Sequence, residues 1–335
     1  MGSPSAAGTV SINKTLVQSS GMTYLPVEEA EQLIDYIVDE SKLLQEATVV
    51  KMKYSTKRLA ELTLGTKILR KSGVGACVDS GSADITKKEL VSKSFKAVIT
   101  VGDDWIEDNP EGEEGLDHLM RAFADQLRNE LEILTLMGSL PANIFYDDAD
   151  MDTTTMRAWN GWYAQMRLAS PVLDGATAGD GRCLTICKLK QLIQELPNKF
   201  KRRRQDLRIY MSMDLWLDYV KLVSDRLTVL GDKQLTDADL YKFGGIEIVP
   251  VPLIPQDVDS CVSGTISPAD GTFMFITPKW NLVLGIQREI RYERQRDACN
   301  EETKHIFTLR ADPMVINEDA AVLYDCLQIC ECPAP

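Results

Sequence analysis

Carboxylates crowd two stretches of this sequence. ITVGDDWIEDNPEGEEG, residues 99–115, carries Asp103, Asp104, Glu107, Asp108, Glu111, Glu113 and Glu114. Further on, Asp147, Asp148, Asp150 and Asp152 fall within YDDADMD. Converging carboxylates can hold a divalent cation or share a proton for acid–base chemistry. The second group has the aspartate spacing of a calcium loop but lacks that loop's glycine and closing glutamate. A solvated acidic loop is the expectation there. The first group admits a metal site, acid–base chemistry, or the start of a helix at a crowded subunit boundary.

Cysteine and histidine offer less. Cys330 and Cys332 form a C-x-C, with Cys326 four residues before Cys330. A zinc finger or ribbon needs two close pairs at set spacings, and this is a single pair. The N-terminal residues lack the apolar core of a signal peptide, so reduced thiols, buried or on the surface, are the expectation for the eight cysteines. His118 and His305 are the only histidines, and neither has a Ser, Cys or Asp partner suggested by spacing. No phosphate-binding glycine motif occurs. Nothing here signals catalysis, and no cofactor or metal is expected. The remaining enzyme alternative is a metal-dependent hydrolase built on the aspartate clusters.

Two basic segments face these acids. KFKRRRQ supplies Lys199, Lys201, Arg202, Arg203 and Arg204, and REIRYERQR supplies Arg288, Arg291, Arg294 and Arg296. A short basic run can bind nucleic acid, act as an import signal, or pair with acids of another chain. The formal charge of −13 repels nucleic acid from the chain as a whole. A solvated or salt-bridged face is therefore the expectation for KFKRRRQ. A strand charged on both faces, as REIRYERQR is, suits a position between subunits rather than a monomer core.

The elements that would position these residues follow from periodicity. The 335 residues are 44% hydrophobic and 26% charged, an ordinary globular balance. No apolar run approaches the roughly eighteen residues of a membrane span, which points to a soluble, cytosolic protein. Residues 1–25 read as a mobile arm. Pro26 then opens a helix with Ala30, Leu33, Ile34, Ile37 and Val38 on one face. ATVVKMKY reads as a strand. About forty residues follow that cannot build a core, with Gly73, Gly75 and Gly81 marking a turn. They predict a long two-stranded excursion that must lie on something, since an isolated ribbon is marginal in water. KSFKAVITV returns as a strand into the acidic stretch. Leu116, Leu119, Met120, Phe123, Leu127, Leu131 and Leu134 then trace one face of a long helix stopped by Gly138. Trp159 and Trp162 bracket Asn160-Gly161 as anchors for a turn against the core. A helix over 184–196 leads to an α/β part: the strand DLRIYMS, a helix from Asp214 capped by Ser212, and the strands IEIVPVPLIP and GTFMFITP. WNLVLGI, then two long strands joined by DACNEET, and a last strand in NEDAAVLYDCLQI complete the chain.

That order, with LLQEATVVKM, SKSFKAVITVGDDWIEDN, LRNELEILTLMGS, the NGW turn, WNLVLGIQREIRYERQRD and HIFTLRADPMVINEDAAVLY, resembles the major capsid proteins of tailed bacteriophages, the Hong Kong 97-like fold. The resemblance spans roughly residues 25–325. It implies an α+β fold with an N-terminal arm (1–26), a peripheral domain (27–55, 94–205 and 286–317), an extended loop lying over an adjacent subunit (56–93) and an axial domain (206–285 and 318–335). Residues 112–138 would be the spine helix. It implies self-assembly as pentamers and hexamers into an icosahedral shell that encloses double-stranded DNA without sequence-specific binding. Other implied partners are a portal protein, a separate scaffolding protein and a decoration protein. The protein would assemble in the host bacterial cytoplasm and reside in the virion. An encapsulin-type compartment is the alternative within the fold. Some members cross-link a loop lysine to a neighbour's asparagine; Lys57, Lys67 and Lys71 lie in the loop, but no asparagine partner is identifiable, so no cross-link is expected. On this reading Asp103, Asp104, Glu107 and Asp108 form a patch facing basic residues of another copy, with Lys201, Arg202, Arg203, Arg204, Arg288, Arg291, Arg294 and Arg296 as candidates for the opposite side.

Overall fold

Short apolar runs bounded by turn residues become strands buried on both faces, and they build the larger part of the molecule. A computed structural model describes residues 42–64, 83–104, 113–142, 146, 151–175, 182–224, 241–256, 258, 271–287 and 291–329. The helix expected from Pro26 falls almost wholly outside these residues; among the described ones a short helix, α1 (Lys42–Glu46), leads into β1 (Thr48–Met52). The chain divides into two units. The larger holds residues 38–93, 128–288 and 310–335; the smaller holds 1–37, 94–127 and 289–309.

The larger unit is centred on a six-stranded sheet. Its order is β5 (Val172–Asp174), β13 (Val322–Leu327), β9 (Thr272–Pro278), β6 (Leu207–Ser212), β8 (Ile246–Val251), β7 (Lys242–Phe243). β6, β9 and β13 are buried along their whole length. β8 runs parallel to β6, while β9 is antiparallel to both β6 and β13. β7 pairs only with Glu247 and Ile246, so β8 has no β7 partner at Pro250, where a proline lacking N–H is tolerated. Helices α5 (Ile186–Glu195) and α7 (Met213–Ser224) cover the sheet through Leu189, Leu192, Leu215 and Tyr219. Ser212 caps α7 as expected, accepting the Leu215 amide at 3.2 Å. Thr185 caps α5 by accepting the Lys188 amide.

The same unit contains β10 (Leu282–Gln287), which lies between β1 and the 311–315 part of β12 (Glu302–Val315). The excursion is an antiparallel ribbon, β2 (Thr56–Leu64) and β3 (Ala83–Val91), in register from Thr56 opposite Val91 to Leu64 opposite Ala83. In the smaller unit, β11 (Arg291–Asp297) pairs with residues 302–308 of β12, and β4 (Lys93–Gly102) also pairs with β12. The turn between β11 and β12 places Glu301 at φ 52, a left-handed position. The long helix α2 (Glu113–Met137) has 25 residues, as its apolar stripe predicts. Its Phe123 meets Phe307 with ring centroids 5.3 Å apart.

The NGW turn fastens the end of α2. Trp159 and Trp162 are buried, donating their indole N–H groups to the carbonyls of Leu134 (2.9 Å) and Val283 (3.2 Å). The Asn160 side-chain oxygen accepts the Leu140 amide at 2.9 Å. Gly161 is required by close approach, because a Cβ there would sit 2.6 Å from the Leu136 carbonyl oxygen. Two short helices flank the turn, α3 (Thr153–Met156) and α4 (Trp162–Ala169). α4 has little periodic contrast: Trp162, Tyr163, Ala164 and Met166 are all buried, so no polar face marks it as a helix in the sequence.

The expectation of reduced thiols is corrected at two positions. Cys183 and Cys326 are each disulfide-bonded, while Cys187 and Cys299 are free and exposed. Cys183 bridges to Gln328 in the sheet, so tertiary pairing brings it to the end of β13, which sequence spacing could not show. Cys77, Cys261, Cys330 and Cys332 lie outside the described residues, as do Asp147, Asp148 and Asp150. Asp152 precedes α3 and accepts from the Thr154 and Thr155 hydroxyls.

Candidate functional site

Among the described residues, no group of three or more His, Cys, Asp or Glu is placed to hold a metal. The surfaces available to another protein chain are then the places to look. The acidic stretch begins where β4 ends. Asp103 is half-buried, and its carboxylate takes the Arg296 guanidinium of the same chain at 2.5 Å. The Asp103 amide also donates to the Glu301 carbonyl at 2.8 Å. Asp104 is exposed, and Glu107 and Asp108 lie outside the described residues. Asp103 and Arg296, each expected to meet a partner on another copy, are paired with each other within one chain. Arg294 is half-buried and stands opposite His305 in the ladder. Burial, then the Arg294 charge, lowers the pKa of His305. Arg291 belongs to β11, and Arg288 lies outside the described residues.

The second basic run forms α6 (Asn198–Lys201) and the turn after it. Lys201 donates to the Gln194 carbonyl at 2.7 Å, and Arg204 to the Gly244 carbonyl at 3.5 Å. Arg202 and Arg203 are exposed. Lys199 pairs with Asp319 at 3.6 Å, with both side chains more than half exposed. Such a pair in solvent adds little stability. This run belongs to the larger unit and the acids near residue 103 to the smaller.

The ribbon root shows a site that the charge patterns missed. Leu90 is fully buried among Met52, Val283 and Met314, with Leu59 packed beside it. Gly285 makes room: a Cβ there would lie 3.1 Å from Leu90 Cδ1 and 3.2 Å from Met52. The Ser92 hydroxyl has two acceptors within reach of its one proton, the Ser55 carbonyl (3.2 Å) and Gln287 Oε1 (3.1 Å). Lys88 spans to Glu318 (2.7 Å) and to the Val315 carbonyl (3.1 Å). Asp312 accepts the Val91 amide at 2.7 Å. Burial pushes the Asp312 carboxyl up to about 6, against the opposing pull of that amide and of Lys93. The signal for this site was Leu90, an apolar residue among charges in KKELV. Along the ribbon Lys57, Leu59 and Lys88 are half-buried, while Arg58, Ala60, Ile85, Thr86, Lys87 and Glu89 are exposed. Ile85 is 61% exposed.

No protein-family model matches the chain. It is 24% identical over 319 residues to the prophage capsid protein YqbE of Bacillus subtilis (strain 168), covering 92% of this chain and 96% of that protein. Among solved structures it is similar to a chain of the satellite phage P4 procapsid, with a TM-score of 0.63, 14% identity, and coverage of 94% of this chain and 96% of that one. It is also similar to the capsid of a native GTA particle, with a TM-score of 0.57, 13% identity, and coverage of 85% and 90%. Likenesses at such identities, extending along almost the whole chain, establish a shared fold.

Proposed function

We propose that this chain, which has the Hong Kong 97-like capsid fold, is the major capsid subunit of a tailed phage or prophage. It self-assembles as pentamers and hexamers into an icosahedral shell around double-stranded DNA, and its place is the virion. The observation that carries this reading is the end-to-end likeness to proteins of phage-type particles, 94% of this chain against the P4 procapsid and 92% against the prophage protein. The role is structural rather than enzymatic. An encapsulin-type compartment is not favoured, because the similar proteins named above include a satellite phage procapsid chain and a prophage capsid protein.

The surfaces support the reading. In the described part of the ribbon Arg58, Ala60, Ile85, Thr86, Lys87 and Glu89 are exposed, a surface that a segment lying over an adjacent subunit would cover. Asp104, Arg202 and Arg203 are exposed and remain candidates for ion pairs between copies, with Glu107, Asp108, Arg288 and Arg291. The acidic balance of −13 keeps DNA from adhering to the wall, so purified shells should bind DNA weakly and with steep salt dependence. A portal protein and a separate scaffolding protein are the expected further partners, and a decoration protein would dock on the finished shell. Electron microscopy of the expressed full chain, with and without co-expressed scaffolding, tests the proposal. Round shells of uniform diameter, or five- and six-membered rings, are expected; a chain that stays monomeric in both conditions overturns it.

A further inference from the structure

The larger unit carries two surfaces of opposite character. The first is a groove of about 370 Å³ between α5, α6 and the β7–β8 turn. Ile193, Phe243 and Ile246 line it with apolar surface, and Lys190, Lys201 and Arg204 bring three cations to it. None of the described residues lining it is acidic. Lys201 and Arg204 are held by the backbone carbonyls of Gln194 and Gly244, so two of these charges are fixed in place. In a chain of net charge −13 this is a local reversal of sign.

The second surface is the outer face of α7. Leu215, Tyr219 and Val223 turn into the core. Met213 and Leu217, one turn apart, are instead 41% and 51% exposed. Asp214 and Asp218 follow each of them by one residue, giving an apolar ridge edged with acids. On its other side Trp216 stacks on Tyr241, with ring centroids 5.4 Å apart.

We propose that the groove is a socket for the α7 ridge of a second copy of this chain, with Met213 and Leu217 over the apolar floor and Asp214 and Asp218 against the cations. The inference rests on the self-assembly reading and names the surfaces that make the ring. Two different patches of one chain meeting head to tail form a heterologous contact, which closes into a ring when the rotation permits. Nucleic acid is the less suitable occupant, because phosphates would engage the cations and leave the apolar floor uncovered. Charge complementarity across the contact would also set the register between neighbours.

The test is a charge swap in the full-length chain, read by sedimentation velocity, with circular dichroism as the check on folding. Lys190→Glu with Arg204→Glu should cut the yield of rings and shells by about tenfold or more, since like charges would then oppose each other across the contact. Asp214→Lys with Asp218→Lys should do the same, and all four changes in one chain should restore assembly. Leu217→Ser, which alters no charge and no buried side chain, should weaken assembly with the fold intact. Normal assembly of the groove variant overturns the inference. So does loss of assembly that the four-fold variant fails to restore while Leu217→Ser assembles as wild type. A groove variant that assembles normally but loses binding to a double-stranded DNA fragment assigns the groove to nucleic acid. A wild-type chain that never assembles overturns the capsid reading itself, a result distinct from wild type and all variants assembling alike.

Discussion

The six-stranded sheet and the two-stranded ribbon belong to the same unit and meet opposite conditions. LRIYMS, TFMFITP and VLYDCL are buried residue by residue in β6, β9 and β13. TKRLAELTL and ADITKKELV alternate in and out of charge, and Arg58, Ala60, Ile85, Thr86, Lys87 and Glu89 stand in solvent. The first region has its stabilising surface within its own chain. The second is fastened to that chain at its root, and its nine-residue strands are fully paired. Backbone pairing alone does not stabilise a ribbon in water. The contrast teaches that the ribbon's shape must be completed by what it lies on, and the capsid proposal supplies that surface as another copy.

The largest expected effect breaks the buried side of the comparison. Trp162 is fully buried and its N–H is bonded to the Val283 carbonyl, so Trp162→Ala should cost about 3–5 kcal/mol and lower the urea midpoint of the soluble subunit severely. Next comes a pair on the same strand. Leu90→Ala, at the packed root, should cost about 2–5 kcal/mol. Ile85→Ala, five residues earlier and largely exposed, should change subunit stability by less than about 0.5 kcal/mol yet reduce shell yield. Equal losses of subunit stability in the two variants would erase the distinction between root and ribbon.

A subtler effect is a matter of pH. The folded-state pKa of Asp312 is raised from 3.8 to about 6, mainly by burial. The proton is therefore bound more tightly in the folded chain. The stability this contributes is complete below 3.8 and is lost as pH rises through about 6. Asp312→Asn keeps an acceptor for the Val91 amide and cannot ionise. The difference in urea midpoint between wild type and Asp312→Asn should thus move against wild type from pH 4 to pH 7 (about the interval of the shift), and a constant difference would remove Asp312 from the root's energetics. The smallest effect belongs to the pair of half-buried Asp103 with exposed Arg296: Asp103→Asn should cost less than about 1 kcal/mol, and less still at high salt.

Much of the architecture was legible along the chain, for reasons that differ by element. α2 showed itself through one apolar stripe ending at a glycine, and β6 and β9 through short apolar runs between turn residues. The ribbon declared itself by what it lacked, enough apolar residues for a core. α4 did not, because apolar residues around most of its circumference leave no period to detect. The joining of Cys183 and Cys326 to disulfides did not, because composition speaks only to the compartment, whereas proximity is made by the sheet.

The acids and bases divide along the same line. The sequence alone determined that an acidic stretch follows a strand and precedes a long helix, and that RYERQR is a strand charged on both faces. Both depend on nearest-neighbour periodicity and need no knowledge of distant residues. That Asp103 takes Arg296, that Asp312 holds the ribbon's last amide, and that Lys190, Lys201 and Arg204 share one apolar groove were decided only by tertiary structure. A charge has no directional period along the chain, and its partner is whichever group the packed backbone brings within a few ångströms.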